Sequence, residues 1–371
     1  MRVSAERGGG MFGAMAVVAT LVLAACGGGS AANSASPTAL DPKADLSKQT
    51  LTVSNWADYT NPDLVSGFQS EFGTPVTMAT HASNEEIMGK LTAGGDSGID
   101  VAFVSGQYAQ ALDRAGLLEH LDKSLVPNMA NLYPEASKLA YDEGNVYSVP
   151  YAWGTTGICY RSDLVKETPD SWDAILTPSD DTKGKITMLG SERWLLLPAL
   201  KKLGYSNNTV NPDELAKAKD LTIAAKPNLL TYDDTTFYTR LVSGESVMAV
   251  AWDGWCSYAI AENPAVKFAL PKEGSDIWAD TAVVLKSSKN KEAAHAFLNS
   301  MLEAKNHSWV ATTALSKVPN KASMDLVGAK LAEQFPAMGM TPAEILQQEP
   351  ILDLGDQTAL YTKIATEITA S

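Results

Sequence analysis

Histidine and cysteine are scarce in this 371-residue chain, with four of the first and three of the second. The histidines, His81, His120, His295 and His307, fall at no metal-ligand spacing, so no metal centre is expected. Positive charge is also in deficit. The formal net charge is −14, and such a surface lacks the basic stripe that a nucleic-acid partner needs. Acidity of this kind mostly serves solubility and names no cationic ligand by itself. There is no phosphate-cradling glycine loop, no Gly-x-Ser-x-Gly and no His-Glu-x-x-His. Ser288-Lys289-Asn290-Lys291 matches a Ser-x-x-Lys pattern but reads better as an exposed charged turn. An enzyme is not expected, nor is a cofactor. The apolar run from Met11 to Ala24, interrupted by Gly13, is too short for a comfortable membrane span.

That run has a purpose of its own. Arg2 and Arg7 precede it, and it ends in Leu23-Ala24-Ala25-Cys26. The quartet resembles the bacterial lipobox, which implies cleavage after residue 25 and lipidation of Cys26. A plain secretory signal with a chance cysteine is the alternative. A lipidated chain is anchored to a membrane and does not span it. Residues 26–47 are rich in Gly, Ser, Ala and Pro and read as a flexible tether. The expected location is the outer face of the cytoplasmic membrane, or the periplasm. Cys159 and Cys256 remain as an even pair in an oxidising compartment. A disulfide and two buried thiols both fit.

The length suffices for two domains. After the tether, Leu51-Thr-Val-Ser-Asn-Trp56-Ala-Asp58-Tyr59 reads as a short strand running into a loop with two aromatics and an acid. Asn61-Pro62-Asp63 looks like a cap, a first-turn proline and an acid, opening a helix that Gly73 closes. Pro75 to Thr80 reads as a strand. Ser83 and Glu86 fit a capping box. Gly98 to Val104 is a buried strand ending at a polar loop that begins with Ser105. This strand–helix alternation predicts an α/β class, with a parallel or mixed sheet under covering helices. The run Tyr147 to Gly157, with aromatics, a proline and glycines, reads as a strand crossing between domains. A second alternating region follows, with a helix at Leu195 to Leu203 and Pro198 near its start. The strand Ser246 to Trp252 ends in Trp252-Asp253-Gly254-Trp255. Ile277-Trp278-Ala279-Asp280 is expected to be a loop between strands. Open α/β sheets bind ligands at the carboxyl ends of their strands. Two separate Trp-plus-acid loops suggest a cleft that receives a cation. Core packing of the same tryptophans is the competing reading.

Several stretches together resemble one family. Asn55-Trp56-Ala57-Asp58-Tyr59, Ser83-Asn84-Glu85, Val149-Pro150-Tyr151-Ala152-Trp153-Gly154, Leu203-Gly204-Tyr205-Ser206, Pro271-Lys272-Glu273-Gly274 and Trp278-Ala279-Asp280 occur in order. They are similar in order and spacing to the spermidine/putrescine-binding proteins of bacterial ABC importers, over nearly all of the chain after the tether. The resemblance implies a two-lobed periplasmic-binding-protein fold, each lobe a mixed sheet flanked by helices, joined by crossing hinge strands. Lobe 1 would take residues 48–154 and 279–324, and lobe 2 residues 155–278 and 325–371. Closure of such lobes traps a ligand between them. It further implies a monomer that delivers its ligand, unchanged, to ABC permease subunits.

The same resemblance assigns site residues. Trp56, Tyr59, Trp252 and Trp278 match wall positions. Asp280 matches a carboxylate that holds one amine, and Ser105 a polar cleft position. Asp58 and Asp253 lie beside these aromatics. The departures are specific. Where the family carries an acidic pair, this chain has Ser191 and Trp194, with Glu192 adjacent. A family tyrosine becomes Gln107, and a late glutamine has no clear match near Ile351. Asp233 and Asp234 lie near a contact segment and could compensate. The expected ligand is a polyamine such as spermidine or putrescine, or a related organic cation. A choline-like or γ-aminobutyrate-like mono-cation is the alternative. Ferric-ion receptors of similar architecture use paired tyrosines, and no adjacent Tyr-Tyr occurs here.

Overall fold

The computed structural model describes residues 40–371. The expected signal peptide, Cys26 and most of the expected tether lie outside the described residues. Within the expected tether, the Asp41 amide donates to Glu292 and the Leu46 carbonyl accepts from Thr74 Oγ1 at 2.7 Å, so the chain already packs on the body there. Among the described residues no helix is long and apolar enough to cross a membrane.

The strands are β1 (Leu51–Asn55), β2 (Val76–Thr80), β3 (Val101–Ser105), β4 (Ser148–Arg161), β5 (Ile186–Met188), β6 (Thr231–Tyr232), β7 (Met248–Trp252), β8 (Val266–Ala269), β9 (Asp276–Val284) and β10 (Glu349–Pro350). Their order is β2-β1-β3-β9-β4-β7-β5-β6, with β10 beside β9 and β8 beside β4. Parallel pairs at both ends and antiparallel pairs in the middle make the sheet mixed. The two longest strands hold the centre. β4 runs 14 residues: Ser148 to Thr155 pair with β9, and Thr156 to Arg161 with β7 and β8. It therefore leaves one hydrophobic core and enters another. Val53, Phe103, Val149 and Phe297 belong to the first core. Ile158, Trp172, Leu196, Val250 and Tyr361 belong to the second.

Local chemistry explains the element ends. Asn61 Oδ1 accepts the Asp63 amide at 2.9 Å, Pro62 starts the helix Pro62–Phe72, and Gly73 ends it at φ 68°. The helix Asn84–Thr92 starts with Ser83 Oγ accepting the Glu86 amide at 3.2 Å, but the Glu86 carboxylate takes the amide of Ala82, one residue before the cap. Pro198 is inside the helix Glu192–Lys202, not near its start, because the helix begins at Glu192, before the apolar run. Ile277 to Asp280 is not a loop. It lies within the nine-residue β9, and its acids resemble loop residues only until their hydrogen-bond partners are seen. Ser288 is buried and donates to Asp100 Oδ1 at 2.6 Å, so the Ser-x-x-Lys match is a folded turn. Cys159 of β4 and Cys256 of the helix Asp253–Glu262 form a disulfide, with Cα atoms 5.7 Å apart. The bond pins the first turns of that helix to the crossing strand.

Candidate functional site

Ladder register collects the site. Asp280 sits opposite Ser105 on one side and Ala152 on the other. Trp278 sits opposite Gly154, and Trp252 opposite Thr156. Residues opposite each other in a ladder share a face, and side chains alternate along a strand. Ser105, Asp280, Trp278 and Trp252 therefore project from one face of four adjoining strands. Gly154 lies between them. A Cβ at that position would stand 2.5 Å from Trp278 Cζ2 and 2.2 Å from Asp253 Oδ1. Only glycine permits so close an approach in mid-strand.

Asp280 is the electrostatic centre of this face. Ser105 Oγ donates to its Oδ1 at 2.8 Å, and Tyr59 Oη donates to its Oδ2 at 3.3 Å. Asn84 fixes Ser105 from behind, accepting its amide at 2.9 Å and donating to its Oγ at 3.1 Å. Both donors to Asp280 are neutral, and no cation pairs with it among the described residues. Burial lifts its carboxyl to about 6. Burial and the nearby Asp280 charge hold the Tyr59 hydroxyl well above its ordinary range, so it stays a donor. At neutral pH the site thus presents an ionised carboxylate that burial has left short of positive charge.

Tyr59 is itself held. Tyr151 Oη donates to its carbonyl at 2.5 Å, and the two rings meet edge-on at 5.2 Å. His307 stacks on Tyr151 at 5.3 Å and donates from Nε2 to the Tyr151 carbonyl at 2.7 Å. Its other nitrogen accepts from Asn320 Nδ2 at 3.3 Å, which fixes a neutral imidazole. Burial pushes that ring down to about 4. Trp56 packs edge-on against Tyr59 at 6.0 Å and His81 at 4.9 Å. Trp252 meets Trp194 edge-on at 5.3 Å, and Trp194 Nε1 donates to Asp276 Oδ2 at 2.8 Å. Trp56, Tyr59, Trp194, Trp252 and Trp278 are all only half-buried, as walls of an open face are.

The other expected residues have different surroundings. Asp253 begins its helix fully interior, accepts the Gly254 amide at 2.9 Å, and is pushed by burial to about 7. The charge of Lys317 opposes that rise. Lys317 is buried too, donates to the Met338 and Met340 carbonyls, and is lowered by burial to about 8. Asp234 is occupied by the Gly190 amide at 2.6 Å and Ser191 Oγ at 2.8 Å. Asp233 is occupied by Thr236 and by Arg240 Nε at 2.9 Å. Glu192 accepts from Thr362 at 3.0 Å. Gln107 lines a cavity of about 220 Å³ with Gln348, Ile277 and Ala279, and no carboxylate lines it. Ile277 and Ala279 alternate with Trp278 and Asp280, so this cavity borders the opposite face of β9. Asp58 is exposed at φ 56°. Among the described residues no group of three or more His, Cys, Asp or Glu could hold a metal.

Sequence reasoning missed Gly154, Tyr151, His307 and Asp276. The run Tyr151-Ala152-Trp153-Gly154 carried a signal for the first two, since a glycine inside a strand marks close approach. His307 and Asp276 carried none.

Residues 63–337 match the family described as bacterial extracellular solute-binding protein. The chain is 30% identical over 322 residues to the spermidine/putrescine-binding periplasmic protein of Salmonella typhimurium, covering 86% of this chain and 92% of that one. It is 33% identical over 304 residues to the putrescine-binding periplasmic protein PotF of Escherichia coli, covering 77% and 82%. The spermidine/putrescine ABC transporter substrate-binding protein PotD of Streptococcus pneumoniae superposes with a TM-score of 0.76 at 28% identity, covering 87% and 99%.

Proposed function

This chain belongs to the bacterial extracellular solute-binding proteins, and from that premise we propose that it captures a polyamine or closely related organic cation and hands it, unchanged, to an ABC permease. The observation that carries the reading is Asp280, a partly buried carboxylate with neutral donors only, set among tryptophan and tyrosine rings. An ammonium needs such a partner, since burying it unpaired costs several kcal/mol. Its methylene chain needs apolar walls. Each desolvated cation–π contact adds up to ~2 kcal/mol.

In this reading Trp56, Tyr59, Trp252 and Trp278 are the walls, Asp280 the anchor, Ser105 its support, and Trp194 an added wall beside Trp252. The lobes are 48–154 with 279–324 and 155–278 with 325–371. They close over the ligand as a monomer, tethered outside the cytoplasmic membrane through a lipid on Cys26. A mono-cation receptor is the second reading. Its support is that Ser191 and Trp194 replace an expected acidic pair, while Asp234 is already occupied.

Tryptophan fluorescence, titrated with spermidine, putrescine, choline and γ-aminobutyrate, tests the proposal. Saturable quenching or enhancement by a polyamine is expected. A response to choline or γ-aminobutyrate alone would replace it with the second reading.

A further inference from the structure

Among the described residues, side chains join the two proposed lobes at two places, the helix Lys321–Gln334 aside. At the first, Lys317 donates to the Met338 and Met340 carbonyls. Its own carbonyl accepts the Trp153 amide at 3.0 Å, so this contact lies against the crossing strand β4, where hinged bodies turn and do not part. At the second, Arg114 Nη1 pairs with Asp353 Oδ2 at 2.8 Å, and Gln110 Oε1 accepts the Asp353 amide at 3.0 Å. Asp353 Oδ1 accepts the Gly355 amide at 2.9 Å, so both carboxylate oxygens are engaged.

Each side of the second contact is fixed in its own body. Gln110 and Arg114 lie on the helix Gly106–Arg114, whose Ala109 and Leu112 pack with Ile87, Val104 and Leu118. Asp353 lies in a strap that follows β10. Arg193 Nη1 donates to the Leu352 carbonyl at 2.9 Å, Asn208 Oδ1 accepts the Leu352 amide at 2.9 Å, and Leu354 packs on the second core. Gly355, at φ 54°, lets the strap come close, since a Cβ there would stand 2.8 Å from Arg114 Nη1. The helix also leads back to the site. Ser105, the donor to Asp280, is its N-cap, and Arg114 ends it roughly 13 Å further along. The Asp353 side chain is 11% exposed and that of Arg114 55%, so the acid is seated in the strap while the guanidinium can leave it for water.

We propose that Arg114, Gln110 and Asp353 form a latch that holds the cleft shut over its ligand and sets how long the ligand stays. They are positioning residues, acting through the helix that Ser105 caps and through the strap, and they are not part of the Asp280 face. A ligand on Asp280 leaves only after the lobes part, and parting them draws Arg114 away from Asp353. Both charges then become solvated, so the pair slows release modestly and does not prevent it. The latch rests on the amine-capture reading above and names the residues that keep its cleft closed.

Stopped-flow tryptophan fluorescence with putrescine tests it on the wild type, Arg114→Ala, Asp353→Asn and the double variant, with thermal melting of each in the absence of ligand. Release is expected to be roughly three- to fivefold faster in each single variant, with association and ligand-free melting close to wild type. The double variant is expected to release no faster than the faster single variant, because the two side chains make one interaction. A pair that serves the fold alone would lower ligand-free melting and leave release unchanged, and that result overturns the latch. Wild-type release rates in the folded variants overturn it too, as do effects that add in the double variant. In each of these cases putrescine binding by the wild type leaves the amine-capture reading standing. No response of the wild type to putrescine overturns that reading, and the latch with it.

Discussion

Tyr59 and Asp280, 221 residues apart in the chain, meet through a 3.3 Å hydrogen bond. One lies in the loop after the first strand and the other in β9, the strand that pairs with the first half of the crossing strand β4. The contact aims a neutral donor at a carboxylate that burial has made a weaker acid. The carboxylate is thereby oriented but not neutralised, and it remains available to a cation. Tyr151, His307 and Asn320 hold Tyr59 from the other side, so the geometry of the anchor reaches back to the helix Ala304–Thr312.

The first expectation concerns pH and binding. Asp280 must be ionised to hold an ammonium, and its carboxyl sits at about 6. Affinity for putrescine should fall as pH drops through that value, by roughly tenfold between pH 7 and pH 5. Calorimetry across that range checks it. A flat profile would mean that Asp280 takes no part.

The second concerns stability without ligand. The folded-state value of about 6 lies above the ordinary carboxylate value of 3.8. The native state therefore binds the proton more tightly than the unfolded state does. The resulting stability is complete below about pH 4 and lost as pH rises through about 6. Asp280→Asn removes that loss. At pH 7.5 the ligand-free variant should melt higher than wild type, by on the order of 1 kcal/mol once partial exposure is allowed for. At pH 4 the difference should vanish. A variant that melts lower at pH 7.5 would contradict the assignment.

The third concerns Gly154. A methyl group there would overlap Asp253 Oδ1 at 2.2 Å and Trp278 Cζ2 at 2.5 Å. Gly154→Ala should displace Trp278, weaken amine binding about tenfold or more, and cost about 1–3 kcal/mol of stability. Normal binding by this variant would mean that Trp278 is not a wall.

The fourth concerns the disulfide. Cys159 and Cys256 are 97 residues apart. Closing a loop of that length restricts the unfolded chain by about 4.7 kcal/mol in the chain-entropy view. Cys159→Ser with Cys256→Ser should lower denaturant stability by about 2–5 kcal/mol. Equal stability of the two forms would show that the bond is not formed in solution.

Much of this fold could be read from single residues with local consequences. Asn61, Pro62 and Gly73 announced their helix, and the aromatic and glycine run before Ile158 announced the crossing strand. Trp56, Tyr59, Trp278 and Asp280 stood out as two Trp-plus-acid stretches, a resemblance then gave them roles beside Ser105 and Trp252, and register placed four of the six on one face. What could not be read depends on partners distant in sequence. Trp278 looked like a loop residue because it pairs with an acid, Asp280, two residues on, and Asp276 precedes it by two. Both acids are satisfied inside the sheet, one by Thr156 and Trp194, the other by Ser105 and Tyr59. Asp233 and Asp234 looked like spare charge until Arg240 and Ser191 were seen to occupy them. The His307–Tyr151 contact spans 156 residues and follows no sequence pattern.

The central claim is that Asp280 holds an ammonium, and titration of putrescine into wild type and Asp280→Asn at pH 7.5 tests it most directly. The account predicts saturable binding by the wild type and a loss of roughly a hundredfold or more in the variant, as expected when a buried pair loses one partner, with the fold intact by thermal melting. Equal affinity in the two proteins would contradict it.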